Sequence, residues 1–198
     1  GEKPLRKIAG SGAIAGEARV FARHRGLGLL LTREASTRIT TLRDLVSDRA
    51  AIVVATLTEA GARAQYVKTL DSLLGEQQRD QVFSREIDFD ARARIQHRDV
   101  PFALLTGLAD AGLIFSHLAG FYAEAFPDAL VQISVPAAEA FGAEIALAQS
   151  SRRSTFGRYF EEFLFERAQA AYARGGFAEL DDDELGRTWS LTVPRDEG

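Results

Sequence analysis

Three short, uninterrupted apolar runs constrain this chain more than anything else in it: residues 27–32 (LGLLLT), 50–55 (AAIVVA) and 111–116 (AGLIFS). Each is too short for a buried helix. Each is also leucine-rich or β-branched without regard to alternation, which is how a strand reads when both faces of its sheet are covered. Segments of helical spacing lie between them. Ala62, Tyr66, Val67, Leu70, Leu73 and Leu74 mark one long helix, with Gly75 where a left-handed C-terminal cap is wanted. Shorter helices are predicted over 4–10, around Leu42 and Leu45 behind a Thr40 or Thr41 cap, over 99–106 with Pro101 in its first turn and Gly107 as its stop, and over 121–126 ended by Pro127. Phe156, Tyr159, Phe160, Phe163 and Leu164 share a face of a helix that runs to Arg174, and that face is expected to pack hard against its surroundings. Weaker strand patterns cover 82–87, 130–135 and 145–148, and the piece around Trp189, Leu191 and Val193 suits an edge strand or a loose tail. Strands alternating with helices predict a layered α/β sheet, parallel in pairing, with helices on both faces.

Composition removes whole classes of function. The 198 residues, 46% hydrophobic and 26% charged, suffice for a sizeable core, and no apolar run approaches the ~18 residues of a membrane span. There is no cysteine, so thiolate metal sites, disulfides and Cys nucleophiles are out. A net charge of −4 argues against a nucleic-acid binder. The one basic cluster, Arg19, Arg23, His24 and Arg25 around Phe21, reads as a solvated or inter-lobe strand end. The chain holds no methionine and begins at Gly1, as expected for the remainder of a longer precursor.

Few motifs carry chemistry. His24, His97 and His117 are far apart in sequence, and none has a second ligand at helical spacing, so no metal site is expected. A nucleophile elbow, a P-loop and a dinucleotide fingerprint are all missing. Ser116-His117 directly follows a strand, but neighbours on a strand end point apart, which makes a poor dyad. The segment 56–62, from Thr56 and Thr58 to Ala60 and Gly61, is more informative. It links a buried strand to a helix, gathering hydroxyls and unpaired amides where the helix dipole favours an anion. The helix start near His97 to Pro101 repeats the geometry. An ordinary capped helix accounts equally well for either segment.

In order along the chain, these pieces resemble the periplasmic molybdate-binding protein family of ABC-transporter solute-binding proteins, which has the type II periplasmic-binding fold. Arg19-Val-Phe-Ala-Arg-His24 followed by 27–31 resembles the lead into that family's first inter-lobe strand. Ala60-Gly61 stands in its turn before a helix. Gly107-Leu-Ala-Asp-Ala-Gly-Leu-Ile-Phe115 is similar to its Gly-Glu-Ala-Asp-Ala-Gly-Ile-Val-Tyr, and Phe163-Leu164, Ala168-Gln169-Ala170 and Gly176-Phe177 are similar to its terminal helix and close. Nothing before Val20 matches the family's opening strand and serine segment.

The resemblance implies a non-enzymatic, cofactor-free binding protein. Residues 1–32 would be a remnant of a first lobe and a crossing strand, 33–140 a complete α/β lobe, and 141–198 a return strand, terminal helix and tail. The implied ligand is a small oxyanion of molybdate type, held by Thr56, Thr58, Ala60, Gly61, His97, Phe115 and Ser116, with Ala60 and His97 lending backbone N–H groups. Phe115 occupies the place of a tyrosine and so lacks its hydroxyl. The implied partner is a membrane permease, in a periplasmic or extracellular location, without membrane insertion. Without the opposing serines, molybdate or sulfate binding by these 198 residues is expected to be weak, because amides open to water gain little on exchange. Uncovered apolar surface would favour self-association. Two other readings are an intracellular ligand-sensing or protein-interaction domain built on the same lobe, and a hydrolase using Ser116 and His117 or acidic pairs such as Asp88 and Asp90.

Overall fold

The computed structural model describes residues 2–54, 60–87, 96–152 and 155–191, so Asp88, Asp90 and Val193 lie outside the described residues. Its elements are, in chain order, α1 (Glu2–Ala9), β1 (Glu17–His24), β2 (Leu27–Thr32), α2 (Asp44–Ser47), β3 (Ile52–Val54), α3 (Ala60–Leu74) and α4 (Glu76–Phe83). They continue with α5 (Asp99–Leu105), β4 (Ala111–Phe115), α6 (Ser116–Ala125), β5 (Leu130–Ile133) and β6 (Ala143–Leu147). The chain ends with α7 (Thr155–Glu162), a π-helical turn (Phe163–Arg167), α8 (Gln169–Arg174), β7 (Phe177–Ala178) and β8 (Thr188–Ser190). Two compact units result: Arg25–Gly142, and Gly1–His24 together with Ala143–Gly198.

In the Arg25–Gly142 unit the apolar runs become a four-stranded sheet ordered β3-β4-β2-β5. Both faces are indeed covered, and the pleat sorts the side chains. Leu27, Leu29, Leu31, Ile52, Val54 and Leu113 join one core with Tyr66 and Leu70 of α3 and Val82 of α4. Leu30, Val53 and Ile114 join the other with Val100 and Leu104 of α5 and Ala119 of α6. Each such side chain contributes about 1.5–3 kcal/mol by leaving water. Two glycines let the helices seat closely. A Cβ on Gly112 would overlap Val100 Cγ1, and one on Gly28 would come within 2.8 Å of Ser116 Cα.

Pairing in this sheet is mixed, which corrects the all-parallel expectation. Of the four strands only β3 and β4 are parallel neighbours, Ile52 beside Ala111 and Val54 beside Leu113. β2 lies antiparallel to both β4 and β5. β3, β4 and β5 therefore share one direction, as their helical crossovers require, and β2 is threaded between β4 and β5 against them.

Local expectations fared unevenly. The strand expected at 82–87 is met only at its end: the polar run from Glu76 to Gln81 carries α4 through Phe83, while Glu86 makes an isolated parallel bridge to Ile52 of β3. Gly75 has the positive φ expected, +86°, but its ψ of 156° makes it a joint between α3 and α4 rather than a left-handed cap. α6 starts five residues before the expected 121, because β4 feeds it directly. Before α2 Thr41 caps as expected: its Oγ1 accepts from the Asp44 amide at 3.3 Å, and Asp44 Oδ2 in return accepts from the Thr40 and Thr41 amides at 2.9 and 2.8 Å and from Thr40 Oγ1 at 2.9 Å. These bonds, the Thr40 amide first, hold the Asp44 carboxyl below the usual carboxylate range. α5 is placed as expected, with Gly107 at φ +74° beyond it.

The other unit is built on β1, flanked by β6 on one side and by β7 and β8 on the other, all antiparallel to it. Of the two readings of the segment around Trp189, the edge strand is the one found, as β8. Ala18, Val20, Ala22 and His24 point inward along β1 and are buried. The basic cluster is matched by carboxylates within each unit: Arg19 meets Glu161 at 2.7 Å and Arg23 meets Glu184 at 2.5 Å here, while Arg25 meets Glu139 at 2.8 Å in the Arg25–Gly142 unit. The face of α7 departs most from expectation. Leu164 is buried, but Phe156, Tyr159, Phe160 and Phe163 all face solvent.

Candidate functional site

Because β3 and β4 run parallel, they end at the same edge of their sheet, and a helix follows each. From β4 the chain enters α6 with no intervening loop. From β3 it reaches α3 through residues 55–59, so Thr56 and Thr58 lie outside the described residues. Ala60 opens α3, and Gly61 behind it is exposed, with nothing within 4 Å of where a Cβ would stand.

Phe115, the last residue of β4, is the hub of a ring cluster. Tyr66, fully buried on α3, meets it edge-on at 5.2 Å between centroids. His97, in the 3₁₀ turn Gln96–Arg98 before α5, approaches at 5.1 Å. His117, in the first turn of α6, stacks on it at 5.9 Å with 13° between planes. Burial, and secondarily the nearby His97, lowers the His117 pKa from 6.5 to about 4. His117 is therefore neutral at physiological pH, and it presents a polar ring rather than a cation.

Ser116 is fixed from two directions. Its amide donates to the Gly26 carbonyl at 2.9 Å, and Gln132 Nε2 on β5 donates to its carbonyl at 3.0 Å and its Oγ at 3.3 Å. The amide is thus spent inside the sheet, and the hydroxyl proton is the donor Ser116 has to offer. Ser116 and His117 are consecutive in a helix, about 100° apart around its axis, so they do not face one another as a nucleophile and its base would.

Of the residues singled out from sequence, His97 and Phe115 come together, and Ser116 follows Phe115 in the chain but turns to Gln132 and Gly26. Ala60 and Gly61 sit at the start of the helix that carries Tyr66, about 7–9 Å along its axis. Tyr66, His117 and Gln132 were not singled out as ligand residues. Tyr66 reads as one more apolar position of α3, His117 attracts notice only as a base for Ser116, and Gln132 gives no signal beyond being the polar residue in an apolar strand. Among the described residues no group of three or more His, Asp or Glu side chains could hold a metal ion, and no helix is long and apolar enough to cross a membrane.

No family model matches the chain, and no curated protein matches it. Solved structures do. The substrate binding domain assigned to a molybdenum ABC transporter from Clostridium difficile aligns with a TM-score of 0.63 at 15% identity, over 91% of this chain and 75% of that one. The sulfate-binding protein SubI from Mycobacterium tuberculosis aligns with a TM-score of 0.63 at 15% identity, over 92% and 67%. A periplasmic thiamin binding protein aligns with a TM-score of 0.58 at 10% identity, over 93% and 67%. At such identities the likeness speaks for architecture, and the chain has the mixed α/β fold of periplasmic binding proteins.

Proposed function

We propose that this chain is a solute-binding protein of an ABC-type uptake system, which takes a small oxyanion at the strand-to-helix edge of the Arg25–Gly142 unit and works with a membrane permease in the periplasm or outside the cell. One observation carries the reading: two parallel strands end side by side, helices follow both, and His97 approaches Phe115, the last residue before α6. An anion there would be held by neutral donors. These are the Ser116 hydroxyl, the backbone N–H groups of Ala60 and His97, and the hydroxyls of Thr56 and Thr58, aided by the positive end of α3. Neutral donors suit a bound anion that has to be released again, since a fixed imidazolium or guanidinium would hold it by charge alone. The likeness in fold to proteins whose names record molybdenum, sulfate and thiamin supports a small solute in general and an oxyanion in particular.

The test is calorimetric titration of the 198-residue chain with molybdate, tungstate, sulfate and phosphate, run beside thiamin. Molybdate or sulfate should bind weakly, with Kd in the range of about tens of micromolar or above, as expected for amides partly open to water. Ser116→Ala should weaken that binding several-fold. Sub-micromolar molybdate affinity would overturn the expectation of weak binding. Heat from thiamin alone, with none from any anion, would overturn the oxyanion.

A further inference from the structure

The strand-to-helix edge carries more ring surface than a bare ion can use. Phe115 ends β4, and three separate elements bring rings to it: Tyr66 from α3 at 5.2 Å between centroids, His97 from the turn before α5 at 5.1 Å, and His117 from α6 at 5.9 Å. Tyr66 is fully buried, whereas Phe115, His97 and His117 each keep part of their surface in water. The same residues border the proposed anion site. His97 would lend it a backbone N–H, and Tyr66 stands about 9 Å of helix axis beyond Ala60.

A tetrahedral inorganic oxyanion gains little from such rings. It has no apolar surface to bury, and an aromatic face carries negative partial charge, so contact costs the ion hydration without returning attraction. His117, held neutral by burial, does not reverse that sign. A flat organic group has the opposite balance: it stacks on phenyl and imidazole alike and buries surface that both partners would otherwise expose. A solute that joins such a group to an anionic head is recognised at both ends, the head by N–H donors and the body by the rings. Largely apolar pockets with a few placed polar groups select their ligands in this way.

Resting on the oxyanion reading above, we propose that the solute is an organic oxyanion, a flat aromatic or unsaturated group bearing a phosphate, sulfate or carboxylate head, and that His97, Phe115 and His117 are its specificity-determining surface. Calorimetric titration of the 198-residue chain with aryl anions and their ring-free counterparts tests it. The pairs are phenyl phosphate with methyl phosphate, phenyl sulfate with methyl sulfate, and benzoate with acetate; benzyl alcohol supplies a ring without charge. In the pair bound most tightly the aryl anion should win by about tenfold or more. His97→Ala keeps the backbone N–H and removes the ring. It should weaken that aryl anion about fivefold and leave the ring-free counterpart within about twofold, whereas damage to the fold would weaken both alike. Equal affinities within every pair would overturn the inference and leave the oxyanion reading standing, and so would a His97→Ala chain that loses both members of the pair equally. Benzyl alcohol bound as tightly as the aryl anions would overturn the oxyanion reading itself, and heat from none of these compounds would overturn both.

Discussion

Acidification should weaken the Arg25–Gly142 unit through one ring. His117 titrates near 6.5 when the chain is unfolded and near 4 when it is folded, burial being the larger cause and His97 the smaller. Between those values the unfolded chain binds a proton that the folded one refuses, so unfolding free energy rises with pH in that window. The stabilisation is therefore complete above 6.5 and is lost as pH falls toward 4. A drop of that size, at ~1.4 kcal/mol per pH unit, bounds the effect at about 3 kcal/mol. Part of the ring surface still meets water, and screening brings the working figure to about 2 kcal/mol. Urea denaturation at intervals from about pH 7.5 to 4.5, for the native chain and for His117→Phe, measures it. Phenylalanine keeps the stack on Phe115 and removes the titration, so the gap between the two profiles isolates His117 from every other acid-sensitive group. As pH falls, the gap should move in favour of the His117→Phe chain by about 2 kcal/mol. Parallel profiles would refute the reasoning, as would an NMR titration placing His117 at its unfolded value.

Packing and pairing in the same unit give two further checks. Gly112→Ala drives a methyl group into Val100, a side chain stiff at χ1 and buried between α5 and β4, and should cost about 1–3 kcal/mol in urea unfolding; adding Val100→Ala should return part of that loss, and strict additivity would count against the contact. Arg63 on α3 holds both oxygens of Glu86, at 2.7 and 2.6 Å, just where Glu86 bridges to Ile52 of β3; Arg63→Met should cost about 1–2 kcal/mol, and Arg63→Lys should recover less than half because it cannot make the paired contact.

The local order of elements was legible because it follows from periodicity. A run such as residues 27–32 has no second way to bury both of its faces, and β2 occupies those six residues. Gly107 and Gly75 were readable as breaks for a similar reason, since positive φ is costly for any other residue. Errors arose where a choice rested on partners rather than on the segment. Val82 and Phe83 suit a strand or a helix end, and the preceding polar residues together with a place against α3 made them helical. The aromatic face of α7 has the pattern of a packed helix, yet a pattern records only that a face is apolar and not what stands opposite it.

The candidate site shows the same division. Strand ends and helix starts are visible in sequence, and so Thr56, Thr58, Ala60, Gly61, His97 and Ser116 could be named from it, whereas Phe115 was named by the family resemblance. That Phe115 gathers Tyr66, His97 and His117, and that Gln132 reaches Ser116 from β5, depends on which strands are neighbours. Sequence alone determined the apolar strand runs, the long helix α3 and the stops at Gly75 and Gly107, because hydrophobic period and backbone sterics are local. Tertiary structure alone decided that β2 runs against its neighbours, that His117 is neutral and that one aromatic face stays in water. Each of those depends on atoms brought together from distant parts of the chain.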